Sequence, residues 1–327
     1  DSAFNKWYFK VLNFVAPQIF KSWTVNQKLS VKDQLNIGVR YIELKLSVYE
    51  NDIYVSHTFQ GPPLVSILNE IKLFYDEIPL SQSTVSVGEK SVEPLILVLK
   101  TDHENRKKFD LIVNKKLLTK KIKDHSISKY ISEINNPINQ PIRNFKEKPI
   151  ILVFEDNLYM GEIGIGPLNI YDKWFDTNNE KELEGKIDKA LTSSEYKNAD
   201  LKLIQNILTP KFSDISKSIV LFIYILLIIL YVIIISLSMA IVGYKDVLEH
   251  YMSWISLVII LISWPIYYLI FRPSLSVIEL SKKPNETFIK NIANYKKNLP
   301  NIVMVDNITE EFASTIINLN NNQEILI

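Results

Sequence analysis

The sequence contains no cysteine, and this absence removes several classes of protein at once. Without thiols there is no disulfide framework, no cysteine nucleophile and no thiolate metal site, whichever redox compartment holds the chain. Strong net charge is also lacking, since 37 basic residues stand against 36 acidic ones. We therefore expect no nucleic-acid partner, because phosphate binding normally requires a basic face. Histidine is scarce, with four in 327 residues, so each one can be weighed individually.

Hydrophobic residues make up 47% of the chain but are unevenly spread. Two runs, 219–242 and 252–271, carry no charge. Each approaches the length of about 20 apolar residues that crosses a bilayer as a helix, and a pair of buried core helices is the alternative. The short polar turn between the runs favours a transmembrane hairpin. The predicted domains are therefore a hairpin at 218–271 and a surrounding domain at 1–217 and 272–327.

Positive charge flanks the predicted hairpin on the side of the surrounding domain. Lys245 is the only lysine or arginine in the turn, whereas the flanks contain Lys211, Lys217, Arg272, Lys282 and Lys283. By the positive-inside rule, this bias places the surrounding domain on the cytosolic or an equivalent side. The sequence thus predicts an integral membrane protein with two transmembrane helices and the lipid bilayer as a partner.

Short apolar runs that stop at polar residues alternate with helical patterns outside the hairpin. Such runs end at Lys45, His57, Lys100, Glu155, Asp172 and Asp306, and a further run covers 201–208. Strands that alternate with helices indicate parallel βα units. Seven strands are recognisable in the sequence, and a closed (β/α)8 barrel needs eight. In such a barrel the chemistry lies where the strands end.

Several of these strand ends, in order along the chain, resemble the motifs of a known family. The matching segments are Gly38, Arg40 and Glu43-Leu44-Lys45; Val55-Ser56-His57; Leu99-Lys100-Thr101-Asp102; Tyr171-Asp172-Lys173-Trp174; and Val303-Met304-Val305-Asp306. Together they resemble the phosphatidylinositol-specific phospholipase C-like phosphodiesterases, whose catalytic domain is a distorted (β/α)8 barrel. Each motif alone is weak, but the ordered set is fairly specific.

The resemblance also accounts for the missing strand. Asp1-Ser2 is similar to the end of a His-Asp-Ser motif that closes the first strand of the family with its first catalytic histidine. The expected fold is therefore a distorted (β/α)8 TIM-type barrel whose first strand precedes residue 1. The two-helix transmembrane hairpin is inserted in a βα loop near its C-terminal end. The alternative, a barrel without that strand, would expose two sheet edges.

The resemblance implies cleavage of a phosphodiester in which a neighbouring inositol hydroxyl is the nucleophile. The protein must then supply a base, an acid and positive charge. On the family pattern His57 is the general acid, Asp1 orients it, and Asp306 holds the general base, a histidine before Asp1. A histidine that only forms hydrogen bonds at a loop start is the alternative for His57. Lys45 stands where metal-independent bacterial members carry arginine, so it keeps the charge but loses the bidentate fork.

The resemblance also implies a headgroup site lined by Glu43, Lys100, Asp102, Asp172 and Trp174. Glu43 corresponds to a calcium ligand of metal-dependent relatives. The two lysine ammonium groups in this region would repel a divalent ion, so we expect neither a catalytic metal nor a cofactor. A set of structural ion pairs at the barrel rim is the alternative for these charges.

The predicted function is a membrane-anchored phosphodiesterase that cleaves a phosphoinositide or glycosyl-phosphoinositide headgroup by acid–base catalysis without metal. The alternative is a catalytically degenerate barrel that serves as a structural subunit of a membrane complex. The lysine at the usual arginine position and the histidine missing before Asp1 both favour that alternative.

Overall fold

The computed structural model describes residues 21–57, 59–78, 93–101, 112–155, 158–211, 276–292 and 299–321. Between 212 and 275 it describes 214, 224, 226, 228–234 and 236–237. The chain forms two compact units, Asp1–Val25 with Thr209–Leu280, and Asn26–Leu208 with Ser281–Ile327. The described candidate site residues all belong to the second unit. The domain boundaries expected from the sequence, 1–217 with 272–327 and 218–271, stay a prediction.

Eight strands of the described residues form two sheets. The mixed sheet has the order β3-β2-β1-β4-β5 and contains β1 (Tyr41–Tyr49), β2 (Asp52–His57), β3 (Phe59–Pro63), β4 (Leu95–Thr101) and β5 (Ile150–Phe154). The parallel sheet has the order β6-β7-β8 and contains β6 (Ile170–Lys173), β7 (Leu201–Asn206) and β8 (Ile302–Val305). All of β5 is buried, as expected for a strand of a parallel pair that is covered on both faces.

Most of the described helical residues belong to seven α-helices. They are α1 (Val31–Asn36), α2 (Leu64–Asp76), α3 (Ile112–Asp124), α4 (Glu180–Thr192), α5 (Ser194–Asn198), α6 (Val277–Asn291) and α7 (Glu310–Asn321). Short 3-10 helices cover Ser126–Tyr130 and Ile142–Phe145. The side chain of Asn179 caps α4 by accepting a hydrogen bond from the Glu182 amide.

The expected closed barrel of eight parallel βα strands is wrong. β2 runs antiparallel to β1, because the turn between them contains only Glu50 and Asn51, both with positive φ (45° and 60°). Such a two-residue turn makes a hairpin, whereas a parallel neighbour needs a crossover of a dozen or more residues. The far edge of β5 is also occupied, since Val153 forms a parallel bridge with Ile165. In the described residues the mixed sheet and the small parallel sheet therefore stay separate.

The expected transmembrane hairpin and the integral membrane location are also contradicted. In the part of the chain that the structure describes, no helix is both long enough and apolar enough to cross a membrane. Of 218–271 the structure describes 224, 226, 228–234 and 236–237, all of them helical. The cytosolic side predicted from the flanking basic residues depended on this hairpin and is contradicted with it. The remaining positions of 218–271 lie outside the described residues.

The two faces of the mixed sheet pack differently. On one face Ile42 and Leu44 of β1 join a large hydrophobic cluster with Ile67, Leu68 and Ile71 of α2. Each buried side chain of this kind stabilises the fold by about 1.5–3 kcal/mol. A slip of one residue would move the whole apolar set of β1 to the wrong face, so this packing fixes the register. As a consequence the alternate residues of β1 face the interior between the sheets.

Candidate functional site

The inner face of β1 carries Tyr41, Glu43 and Lys45. β1 is parallel to β4, and in their register Glu43 lies beside Val98 and Lys45 lies beside Lys100. Tyr41 packs at the edge of a smaller hydrophobic cluster that contains Val98 and closes this face below the charged residues. Burial and the nearby carboxylates of Glu43 and Asp172 raise the pKa of Tyr41 well above its ordinary value, so its hydroxyl stays protonated.

Lys100 stands between two carboxylates, and the three residues form what we term the Lys100 cluster. Its Nζ lies 2.8 Å from Glu43 Oε2 and 2.7 Å from Asp172 Oδ2. The three side chains are 13–26% exposed. Burial lowers the pKa of Lys100, but Glu43 and Asp172 outweigh it and the pKa is raised. The structure thus brings together residues of β1, β4 and β6, and the ion pair with Asp172 links the two sheets.

Asp306 directly follows β8 and is buried, with 7% of its surface exposed. Burial raises the pKa of its carboxyl group to about 7, against the opposing effects of a hydrogen bond from the Asn26 side chain and of the Lys45 charge. Its backbone carbonyl oxygen accepts a hydrogen bond from Asn285 Nδ2 at 2.9 Å. The charge of Lys45 thus acts on the Asp306 carboxyl group.

His57 and Trp174 are the exposed members of the predicted set. His57 ends β2 and is exposed, and the pairing register of β2 with β3 shifts between Tyr54 and Ser56, just before it. Irregularities of this kind occur beside active sites, where they re-aim a side chain. Trp174 follows β6 and is 57% exposed. The two other predicted residues, Asp1 and Asp102, lie outside the described residues.

The structure adds polar residues that the sequence motifs do not mark. Gln205 of β7 donates from Nε2 to Asp172 Oδ1 at 2.5 Å. Glu155, which follows β5, accepts hydrogen bonds at Oε2 from the backbone and hydroxyl groups of Thr101, at 3.2 and 3.1 Å. The sequence signals Glu155 as a polar end of an apolar strand, but Gln205 lies within β7, where periodicity alone does not identify a contact across the sheet.

The two carboxylates of the Lys100 cluster both contact the same ammonium group. Among the described side chains, no group of three or more histidine, aspartate and glutamate residues has the arrangement of a metal site. One oxygen of Glu43 and one oxygen of Asp172 contact the Lys100 ammonium group. The combination of an ammonium group with two carboxylates favours an organic ligand with hydroxyl groups or a phosphate over a divalent cation.

Comparisons with known proteins identify proteins of similar fold and similar sequence. No family model matches the chain. The phosphatidylinositol-specific phospholipase C of Listeria monocytogenes superposes with a TM-score of 0.55 at 14% identity, covering 92% of this chain and 85% of that one. A mutant of the corresponding enzyme of Staphylococcus aureus gives a TM-score of 0.51 at 13% identity, with coverages of 91% and 86%. These two likenesses show the fold.

Sequence similarity points in the same direction. The variant-surface-glycoprotein phospholipase C of Trypanosoma cruzi is 25% identical over 220 residues, covering 63% of this chain and 54% of that protein. The protein of the same name from Trypanosoma brucei brucei is 33% identical over 67 residues, 20% of this chain and 19% of that one. The resemblance to the phosphatidylinositol-specific phospholipase C-like phosphodiesterases is confirmed. The match spans about half the length of the first of these relatives.

The chain therefore has a fold similar to that of the phosphatidylinositol-specific phospholipase C of Listeria monocytogenes, with charged groups at the inner face of its strands. Lys45 and Lys100 supply adjacent positive charges, and Asp172 supplies fixed acceptor oxygens. Cations stabilise developing charge on a phosphate, and carboxylates accept hydrogen bonds from hydroxyl groups. The arrangement is chemically suited to a ligand that carries both a phosphate and a polyol.

Proposed function

We propose that this protein is a phospholipase C-type phosphodiesterase that cleaves the headgroup of a phosphoinositide or glycosyl-phosphoinositide lipid by metal-free acid–base catalysis. The observation that carries the proposal is Lys100 held between Glu43 and Asp172, beside Lys45 on the neighbouring strand. The fold and the relatives named as phospholipases C support the same reaction class.

The reaction divides into two proton transfers. The oxygen of the inositol hydroxyl next to the phosphate attacks phosphorus, and its proton passes to the general base. The bond between phosphorus and the diacylglycerol oxygen breaks, and that oxygen takes a proton from His57, which Asp1 orients. The products are a cyclic inositol phosphate and diacylglycerol. Each proton transfer of this kind contributes a rate factor of roughly 10²–10⁴.

Asp306 would hold the base, which on the family pattern is the histidine before Asp1. A carboxyl group whose pKa burial has raised to about 7 is costly to ionise alone. An imidazole that takes up the substrate proton becomes a cation, and a cation beside Asp306 would favour the ionised carboxylate. The buried acid is thus suited to stabilise the protonated base.

Lys45 would face the phosphate, where negative charge accumulates as the hydroxyl attacks. An ammonium group offers one compact charge and lacks the planar fork with which an arginine grips two oxygens. Lys100, Asp172 and Glu43 would bind the ring hydroxyls, and Asp102 and Trp174 would complete the headgroup site. We expect activity with a slower chemical step than an arginine at position 45 would give.

A divalent cation is not needed for this scheme, because Lys45 already supplies the positive charge. Glu43 and Asp172 contact Lys100, so a cation would have to compete with a bound ammonium for the same oxygens. Dialysis against a chelator should therefore leave the rate of inositol phosphate release unchanged. A loss of rate that added calcium restores would remove the metal-free part of the proposal.

The decisive experiment measures release of cyclic inositol phosphate from phosphatidylinositol in mixed micelles by the full-length protein. His57→Ala should lower kcat/KM at least 100-fold, because the leaving oxygen loses its proton donor. His125→Ala is the matched control, since His125 caps a short helix through Ile127 and contacts Asn69, away from the Lys100 cluster. Equal activity in the wild type and His57→Ala would remove His57 from the mechanism.

A wild type without any phosphodiesterase activity on phosphatidylinositol or a glycosyl-phosphoinositide would overturn the proposal as a whole. Circular dichroism and thermal unfolding of each variant show whether a lost activity reflects a lost fold. If both histidine variants are folded, the difference in activity between them reports the catalytic contribution of His57.

A further inference from the structure

Gln205 is the residue of β7 whose side chain reaches the Lys100 cluster. Its Nε2 donates to Asp172 Oδ1 at 2.5 Å. In the parallel register of β6 and β7 the partner of Asp172 is Leu203, and Gln205, two residues further on, shares that face of the sheet. The contact thus joins neighbouring strands on the inner face, beside the residues proposed to bind the headgroup.

The glutamine fixes the second oxygen of Asp172. Oδ2 contacts Lys100 Nζ at 2.7 Å, and Oδ1 accepts from Gln205. An ionised carboxylate can accept about four hydrogen bonds, so each oxygen keeps one open lone-pair direction. Because Lys100 and Gln205 hold the two oxygens of Asp172 in place, the directions of their open lone pairs are fixed. Without Gln205 only one oxygen would be anchored by these contacts, and the terminal torsion of an aspartate is broad and roughly two-fold.

Lys100 is fixed in the same network. Its ammonium group has three N–H donors; it donates one to Asp172 Oδ2 and forms an ion pair with Glu43 Oε2 at 2.8 Å. One donor of Lys100 and two acceptor directions of Asp172 therefore lie next to each other. A hydroxyl group can donate one hydrogen bond and accept others, so adjacent hydroxyls of a cyclic polyol match this pattern.

Resting on the proposed function, we infer that Gln205 is a positioning residue that sets headgroup recognition through Asp172. It does not touch the reacting phosphorus. Its contribution is to aim the carboxylate, and with it Lys100, at ring hydroxyls of the inositol. A purely structural glutamine would affect the stability of the fold and leave discrimination between headgroups unchanged.

Gln205→Met tests this role, because methionine keeps the length of the side chain and removes the donor. The substrates are phosphatidylinositol and a panel of analogues that each lack one ring hydroxyl. A hydrogen bond to a charged group is expected to contribute a factor of about 10–100, so kcat/KM for phosphatidylinositol should fall by that factor. For the analogue without the hydroxyl that Asp172 binds, the fall should be less than about threefold, because that contact is already lost.

Gln140→Met is the matched control. Gln140 is exposed and accepts a hydrogen bond from Asn144, outside the Lys100 cluster. It should keep both the rate and the discrimination of the wild type. An equal fall of kcat/KM on every substrate in Gln205→Met would assign the glutamine a structural role and overturn the inference.

Gln205→Glu gives a second test, which can be used even if the methionine variant folds poorly. At neutral pH the new carboxylate would repel Asp172, whereas its protonated form can donate a hydrogen bond as the amide does. The ratio of variant to wild-type kcat/KM should therefore rise at least fivefold between pH 8 and pH 5. A ratio that does not change with pH would overturn the inference.

Binding of myo-inositol 1-phosphate, measured by calorimetry, separates this inference from the proposed function. A wild type that neither cleaves phosphatidylinositol nor binds this probe removes both. A wild type that binds without cleaving removes the enzymatic proposal, and a tenfold weaker affinity in Gln205→Met would then support the positioning role. Unchanged affinity in that variant would overturn the inference alone.

Discussion

Two charge clusters of this protein have the same arrangement with the signs of the charges reversed. In the Lys100 cluster one ammonium group lies between the carboxylates of Glu43 and Asp172. At the surface one carboxylate, Asp76 at the end of α2, lies between Lys72 and Lys129 and accepts a further hydrogen bond from the Tyr130 hydroxyl at 2.5 Å. We term the second group the Asp76 cluster.

The difference between them lies in where their members come from and how much water reaches them. The Asp76 cluster joins the end of α2 to a short 3-10 helix, and Lys129 is 57% exposed. The Lys100 cluster joins three strands, and Glu43 and Asp172 are 13% and 18% exposed. Exposed ion pairs contribute little to stability, whereas half-buried charges depend on their partners. Convergence of charge at a restricted interior position is therefore what distinguishes a candidate site from a solvated network.

The largest expected effect on catalysis is that of Lys100→Met, which leaves Glu43 and Asp172 facing the interior without their cation. Breaking such a pair should lower the free energy of unfolding by about 2 kcal/mol at pH 8, less than for a fully buried pair. The loss should be smaller in acid than at pH 8, because protonation of a carboxyl group removes part of the repulsion left by the missing cation. We also expect kcat/KM to fall at least 100-fold, the usual cost of removing an electrostatic contact in a site.

Chemical denaturation at several pH values measures the first effect, and release of inositol phosphate measures the second. The double variant Lys100→Met with Asp172→Asn is the control, because it removes one of the two repelling charges and should regain part of the stability. A stability loss of equal size at pH 5 and pH 8 would contradict the electrostatic account.

Asp306→Asn should have the next largest effect, and it appears in the pH dependence of stability. The pKa of Asp306 is raised to about 7 by burial, so between about pH 4 and pH 7 the native protein holds a proton that the unfolded chain has released. Stability contributed by the neutral carboxyl group is therefore lost as the pH rises through this window. The loss amounts to at most about 4 kcal/mol for about three pKa units.

The asparagine variant cannot ionise, so its free energy of unfolding should depend less on pH than that of the wild type between pH 4 and pH 7. Near pH 8 the variant should equal or exceed the wild type in stability while losing activity. Urea unfolding across this range provides the measurement. Parallel curves for the two proteins would show that Asp306 is ionised in the native state at lower pH than its burial implies.

Much of the fold follows from the sequence because its strands are marked by composition. Short apolar runs such as those of β4 and β5 predict buried strands, and the polar residues that end them include Lys100. The pairing direction of β2 does not follow from those runs. It depends on Glu50 and Asn51 in positive φ. Asparagine adopts this conformation more often than most residues, but glutamate does not, so the pair marks the turn less clearly than a glycine would. The expectation of a regular parallel barrel failed at this turn.

The candidate site likewise contains residues that the sequence motifs predict and one residue that they do not. The ordered motifs include Glu43, Lys100 and Asp172, and the structure brings these three together. Gln205 escapes sequence reasoning because its importance depends on which residue of β6 lies beside it, a matter of register between strands nearly 30 positions apart. The hairpin was expected from two uncharged apolar runs and the polar turn between them, but none of the helices that the structure describes is long and apolar enough to cross a membrane.

The smallest expected effect is that of Asp76→Asn, which tests whether the Asp76 cluster is only a solvated network. Hydrogen bonds from Lys72 and then Tyr130 lower the pKa of Asp76, so the stability that it contributes is present at neutral pH and lost as the pH falls below about 4. This sign is opposite to that of Asp306. Because Asp76 is 29% exposed and its partners are solvated, the variant should lose no more than about 0.5 kcal/mol at pH 7 and none of its activity. A tenfold loss of kcat/KM in a folded Asp76→Asn protein would show that charge convergence at the surface also contributes to function, and burial would then no longer separate the two clusters.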